Sequence, residues 1–417
     1  MVKLVLYTNT ISPHQLPLAK ELAARVGDDN FRYIYIEVAD KDHGGLGWAL
    51  DVPDWCIHAS DAEADNWLES ADTLLSGLRC FDLFERRAKK GLKSYYMTER
   101  WFKPPIGIFR LLHPRYFGYA RRLCRMMGSG DVVGLPIGIH AACDMARLCG
   151  LMHGDLRCLF RTPKLNFERK PGGRISLQLQ TPTPTKSPKY CLDKMRMWGY
   201  FVEASRQASV VSHRCQSQLS TNDYPLATNH YPLTTNDYPL TTIKVLWVGR
   251  LLNWKRVDTI IRAVGELAVS SQQLAVSDDS TRSTRSTRLN VSLDIYGTGP
   301  EETRLKILAA KYGDVIKFYP PVPIEDVRRL MREHDVYVLA SNAYEGWGAV
   351  VSEALEEGMK VIGTYEAGSS ATILPGGCLF HAGDIKALLY KLENTFDIGV
   401  DISEWLPNSA AIALANI

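Results

Sequence analysis

The sequence predicts an α/β fold built on parallel sheets, and three observations carry that expectation. Short apolar runs such as Val336–Leu339 and residues 291–296 are each followed by a segment of helical spacing, so strand and helix alternate repeatedly. Glycine or small polar residues end several of these runs, as in Val248-Gly249-Arg250 and Tyr296-Gly297-Thr298-Gly299-Pro300, where a chain must turn tightly into its helix. Repeated alternation of this kind favours a parallel sheet covered on both faces, and 417 residues are enough for two such domains.

Taken in order, residues 1–7 read as a first strand, followed by the loop 9–17 and a helix over 18–26. Residues 131–140 read as a strand entering a helix over 141–148, and 194–202 as the last strand of the first domain. In the second half, 244–248 is a strand and 259–267 a helix; 291–296 is a strand and 302–312 a helix. A strand over 315–319, a helix over Ile324–Glu333, the strand Val336–Leu339 and a helix from Ala349 come next, with two short strands at 361–363 and 378–380. These elements divide the chain into a first domain (1–204), a linker (205–242), a second domain (243–395) and a helical segment (396–417). Thr221-Asn222-Asp223-Tyr224-Pro225-Leu226 recurs from Thr228 and Thr235 inside the linker. That repeat, the Ser-Thr-Arg triplets ending at Arg288 and the polar stretch 170–189 suit surface insertions, because Thr, Asn, Asp and Pro every few residues prevent a sustained helix.

Two strand ends carry chemistry. After Val248-Gly249, Arg250 and Lys255 flank a loop at the carboxyl end of a strand, where open α/β sheets bind ligands; a guanidinium fork and an ammonium both suit a diphosphate. After Leu339, the run Glu345-Gly346-Trp347-Gly348-Ala349-Val350 places one carboxylate in the strand-to-helix loop, and Glu353 follows near the helix start. Small residues there allow backbone amides to approach an anion while the carboxylates accept from sugar hydroxyls. Either feature alone also fits ordinary surface charge or the acidic preference of a helix start.

In this order, Val248-Gly249-Arg250-Leu251 with Lys255, then Gly297-Thr298-Gly299-Pro300, then Glu345-Gly346 leading to Glu353-Ala354-Leu355, the motifs resemble the nucleotide-binding half of retaining glycosyltransferases of family four, bacterial surface-polysaccharide type. The resemblance covers roughly residues 243–385 and implies a GT-B fold, two facing Rossmann-like domains with an interdomain cleft. It implies that Arg250 and Lys255 hold the donor diphosphate, Glu345 contacts the donor sugar and Glu353 the ribose. Gly297, Gly346, Trp347, Gly348, Ala349 and Val350 would line the donor site, and Val322 would offer a backbone contact to the base. The chain departs from the pattern at Phe318-Tyr319-Pro320-Pro321-Val322, where proline removes an N–H, and at 96–100, which lacks the usual histidine. Glu99 or Arg100 would take that histidine's place. His14, Gln15 and His140 are further candidates for cleft or acceptor contacts, with helix capping or simple packing the competing role for each.

The implied activity is transfer of a hexose from a nucleotide-diphosphate donor to a glycan or lipid-linked acceptor. A nucleotide-sugar epimerase on the same fold and a non-catalytic nucleotide-sugar-binding protein stay open. No cofactor and no metal are expected, and no GxGxxG follows the first strand, which argues against a dehydrogenase. Nine cysteines without a CxxC pair suggest reduced thiols, and the lack of a signal peptide or a long apolar run suggests a cytoplasmic protein. Charge is segregated: twelve acidic residues face two basic ones over 28–72, and twelve basic residues face three acidic ones over 81–130. The basic stretch is interleaved with aromatic and aliphatic residues, which suits peripheral docking on the anionic inner face of a membrane or, equally, internal pairing with the acidic stretch. No nucleic-acid module is present, so nucleic acid is not an expected partner.

Overall fold

The computed structural model describes residues 2–11, 15–37, 52–170, 174–179, 190–192, 195, 241–276 and 289–394. The first unit runs β1 (Leu4–Thr10), α1 (Leu16–Val26), β2 (Phe31–Glu37), β3 (Cys56–His58), α2 (Ala64–Ser70), β4 (Thr73–Ser76), α3 (Phe81–Lys89), β5 (Lys93–Thr98), α4 (Pro114–Ser129), β6 (Val132–Pro136) and α5 (Ile139–Met152), then the hairpin β7 (Leu165–Lys170) and β8 (Arg174–Leu179). The second runs β9 (Thr241–Val248), α6 (Val257–Val276), β10 (Leu289–Tyr296), α7 (Glu302–Ala309), β11 (Ile316–Tyr319), α8 (Ile324–Glu333), β12 (Val336–Leu339), α9 (Val350–Glu356), β13 (Lys360–Thr364), α10 (Gly368–Ile373), β14 (Leu379–Phe380) and α11 (Ile385–Asn394).

Each unit is built on a six-stranded sheet, and every pairing within both is parallel. The orders are β3-β2-β1-β4-β5-β6 and β11-β10-β9-β12-β13-β14, so the same winding occurs twice. This is the two-unit α/β architecture expected of a GT-B protein. The chain reverses direction across the sheet between β1 and β4 and again between β9 and β12, which opens a crevice at the strands' carboxyl ends.

Parallel sheets are covered on both faces, so their strands are apolar on both sides. In β1, Val5 packs into one cluster with α3, α4 and α5, while Leu4 and Leu6 pack into another with α1. In β9, Val245 and Trp247 face α6 and α11, and Leu246 faces α8 and α9. This period-two division is why the first strand of each unit reads as an uninterrupted apolar run.

Several boundaries differ from the sequence reading. α1 starts two residues early because Pro17 is accepted in a helix's first turn, where no intrahelical N–H is required. The helix over 302–312 stops at Ala309 and tightens into a 3₁₀ turn through Val315, with Gly313 at φ 68°. Part of the polar stretch 170–189 is strand, since β8 pairs antiparallel with β7. Of the strand over 194–202 only Met195 is described, bridging in parallel to Gly134 of β6. The Tyr-Pro repeats, the Ser-Thr-Arg triplets and 396–417 lie outside the described residues. No helix among the described residues is long and apolar enough to cross a membrane.

The two units meet at the start of α5. The Ile139 amide donates to Thr372 Oγ1 at 3.0 Å, and His140 Nε2 lies 2.7 Å from the Tyr365 carbonyl. Gly138, at φ 85°, permits this approach: a β-carbon there would lie 2.8 Å from the Trp347 ring.

Candidate functional site

β9 and β12 are neighbours at the reversal point of the second sheet, so the loops leaving them share one crevice. The β9 loop supplies Lys255 and the β12 loop Glu345, and the two side chains meet at 2.5 Å, Nζ to Oε2. Both are largely shielded, with side-chain exposures of 22% and 13%. Ser341 Oγ donates to the same Oε2 at 2.9 Å, so one carboxylate oxygen is held from two sides.

Ser341 is itself braced. Thr364 Oγ1 donates to its carbonyl at 2.5 Å, and Ser370 Oγ donates to the Thr364 carbonyl at 2.6 Å. All three hydroxyl residues are fully buried, which makes satisfied hydrogen bonds obligatory and fixes the end of β12 against β13 and α10. These residues escaped sequence reading. Hydroxyls at strand ends are common, and only the fold shows that they line up behind Glu345.

Glu353, 9% exposed, sits in the first turn of α9. Tyr337 lies fully buried beneath both carboxylates; burial raises its pKa far above the usual phenol value, and the charges of Glu345 and Glu353 push it the same way. Its hydroxyl donates to the Val248 carbonyl at 3.2 Å, tying β12 to the end of β9. Gly348 adopts φ 83°, and its carbonyl accepts from Ser369 Oγ at 2.8 Å, while the Trp347 carbonyl accepts from the Ser369 amide at 2.8 Å. Ala349 and Val350 form the start of α9. Gly297, at φ 149°, sits so close to the Gly249 carbonyl that a β-carbon has no room. Val322 packs at the edge of the α8–α9 face.

Other candidates divide. Glu99 reaches across from the first unit: its carboxylate abuts Gly346, where any side chain would collide with it, and Lys103 pairs with the same carboxylate. Arg100 turns away to the buried Asp144, 3.4 Å from Nε to Oδ2. Asp144 also accepts from the Phe102 amide at 3.0 Å, so this pair anchors the loop that presents Glu99. Arg250 is exposed at the end of β9 and makes no ion pair among the described residues. Gln15 accepts from the Tyr33 hydroxyl at 2.7 Å, an engagement within the first unit. His14 lies outside the described residues. Beside Lys255 and Glu345, Trp254 and Tyr344 stack with centroids 6.3 Å apart, an aromatic wall the sequence did not single out.

His140 is a structural latch with a pH signature. Burial lowers its pKa first and the Arg100 charge adds to that, against the Tyr365 hydrogen bond and the charges of Asp144 and Glu366. A histidine depressed in the folded state takes up protons mainly on unfolding, so stability rises with pH and is lost as pH falls below the ordinary value of about 6.5. Denaturation midpoints measured from about pH 5 to 8 should therefore drop at the acid end, and less steeply in His140→Asn. Parallel curves for the two proteins would remove His140 from this role.

Residues 242–397 match the family model described as Glycosyl transferases group 1. The match falls on the second unit. A search of curated proteins found no match. Among solved structures the chain is similar to WaaG, a glycosyltransferase involved in lipopolysaccharide biosynthesis, at 15% identity over 99% of this chain and 94% of that one, with a TM-score of 0.46. It is similar to Anabaena HepE in complex with UDP at 13% identity over 100% and 95%, with a TM-score of 0.46. The catalytic domain of cholesterol-α-glucosyltransferase from Helicobacter pylori is 24% identical over 42% of this chain and 98% of that one, with a TM-score of 0.29. The second unit's own strand order defines its fold.

Proposed function

We propose that this chain transfers a hexose from a nucleotide-diphosphate donor to a glycan or lipid-linked acceptor with retention of configuration. The observation that carries the reading is the Lys255–Glu345 pair at the reversal point of a glycosyltransferase group 1 domain. A donor diphosphate offers Lys255 a stronger anion than one carboxylate. On exchange Glu345 is freed for the sugar's hydroxyls while Ser341 keeps it aimed. As the glycosidic bond breaks, negative charge grows on the departing diphosphate, and Lys255 with Arg250 stabilises that charge more than the ground state. Glu353 takes the ribose. Gly346 and the backbone of 348–350 let the diphosphate approach closely, Gly297 keeps the neighbouring loop low, and Val322 borders the base. Residues 1–204 form the acceptor side and 243–395 the donor side, joined by 205–242.

Thermal unfolding of the full chain with a panel of nucleotide-diphosphate sugars is the direct test, since a ligand of the folded state stabilises it according to its affinity. At least one donor raises the midpoint, Lys255→Ala abolishes that rise, and the same donor supports transfer to an acceptor. No stabilisation by any donor removes the reading. Conversion of the sugar without an acceptor would make the chain an epimerase, and binding without turnover a sensor.

A further inference from the structure

The first unit carries an apolar and basic surface that the sugar site does not use. Of the five most exposed large hydrophobic side chains among the described residues, four lie in two short segments of this unit: Phe109 (69%), Leu112 (80%), Leu156 (68%) and Phe160 (87%). Ile106 and Phe117 extend the first segment and Leu159 the second. Soluble surfaces rarely gather such side chains without a partner to cover them. Both segments are 3₁₀ turns lying outside the sheet, Gly107–Leu112 and Leu156–Leu159.

Arg147 of α5 contacts the second turn and the loop that precedes the first. Its Nε donates to the Cys158 carbonyl at 2.6 Å and its Nη2 to the Leu159 carbonyl at 2.8 Å, while its guanidinium lies over the Phe102 ring at 5.4 Å, on the loop that leads into the first turn. Within residues 100–164 the charge is one-sided. The acids within residues 100–164 are Asp131, Asp144 and Asp155; Asp144 is buried against Arg100, and Asp155 is buried and paired with Arg157. Arg115, Arg121, Arg161 and Lys164 are exposed.

We propose that these two turns form one docking surface for an anionic lipid bilayer, with the apolar side chains entering the headgroup–acyl boundary and the arginines meeting lipid phosphates. The mixture selects this occupant. Ile106, Leu112, Leu156 and Leu159 are aliphatic and suit hydrocarbon, whereas a nucleic-acid surface uses rings on which bases stack. The chain that leaves β5 starts at the cleft, with Glu99 against Gly346, and reaches the exposed Leu112 within one connection. Docking is independent of the sugar-transfer reading. Only the corollary, that the acceptor is anchored in the same bilayer, rests on it.

The test is sedimentation of the full chain with vesicles of phosphatidylcholine alone or of phosphatidylcholine with phosphatidylglycerol. The chain partitions onto the anionic vesicles and little onto the neutral ones, and salt weakens the binding. Combining Phe109→Ser with Phe160→Ser lowers partitioning about tenfold, the scale expected when two exposed rings no longer enter the interface. Arg115→Gln with Arg161→Gln lowers it as well and flattens its salt dependence. All four side chains are exposed, and an unchanged thermal unfolding midpoint of each variant without ligand confirms its fold. Equal binding to both vesicle types, no binding, or variants that partition like the parent overturns the proposal. So does tighter binding to single-stranded RNA than to anionic vesicles.

Discussion

Lys255→Ala lowers sugar transfer roughly 100- to 1,000-fold, the scale on which one preorganised donor to a developing anion acts. The loss appears in donor KM as well as in kcat, because Lys255 holds the diphosphate in the ground state and meets still more charge once the glycosidic bond has begun to break. Glu345→Gln gives a second, separable result. The amide keeps the shape of the side chain and can still accept from Ser341, so donor binding changes little while turnover falls. Ser341→Ala lies between them: Glu345 keeps its lysine but loses the hydroxyl that fixes its oxygen, and kcat falls with KM nearly unchanged. These three variants are measured by initial-rate kinetics with the donor found to stabilise the chain. If Lys255→Ala turned over within about threefold of the parent, the diphosphate would have to be held elsewhere.

Arg87→Met destabilises the first unit by about 3–5 kcal/mol, as expected when a buried charged group is removed and its partners stay behind. Arg87 is fully buried and forms no ion pair among the described residues. Its guanidinium donates instead to Ser94 Oγ at 3.1 Å and to the carbonyls of Leu68, Ala71 and Lys93 at 2.8 Å each. Leu68 and Ala71 are at the carboxyl end of α2, whose last carbonyls have no intrahelical donors, and Lys93 opens β5. One side chain thus stitches a helix end to an inner strand. Burial pushes its pKa down to about 10, with the Glu69 charge acting the other way, so it keeps its proton at neutral pH. Methionine fills similar space but donates nothing. Arg87→Lys keeps charge without the planar fork and falls between. Urea denaturation of the full chain, followed by fluorescence, reads the effect. A loss under about 1 kcal/mol would mean that water reaches those carbonyls when the arginine is gone.

The sequence made the second unit more legible than the first. Lys244–Val248 and Val336–Leu339 announce themselves as strands, and the glycines after β9 and β10 mark turns so tight that the backbones of Gly249 and Gly297 touch. Lys255 and Glu345 are 90 residues apart, yet motif order was enough to suggest a shared site, and they are hydrogen-bonded. What stayed hidden depends on packing between distant segments. Arg86 and Arg87 look alike in sequence, but Arg86 is exposed and pairs with Glu69 while Arg87 is buried. The basic aromatic stretch reads as one surface, yet Tyr96, on the inner strand β5, and Trp101 and Phe102, in the loop after it, belong to the core. Part of its charge is paired internally, Arg122 with Asp82 and Glu85, and that pairing no spacing rule reveals. Leu156 and Phe160 fall outside the stretch altogether, in a turn held by Arg147, whose guanidinium also lies over Phe102 of that stretch.

The six residues of α10 face two ways. Thr372 receives the backbone of the amino-terminal half, and Ser370, half a turn away, begins the row of hydroxyls that ends at Glu345. A rigid rotation of one half against the other therefore pulls on the same short rod that steadies the reactive carboxylate. Under the proposed transfer reaction, Glu345 is therefore best aimed while the contact between the two halves is made.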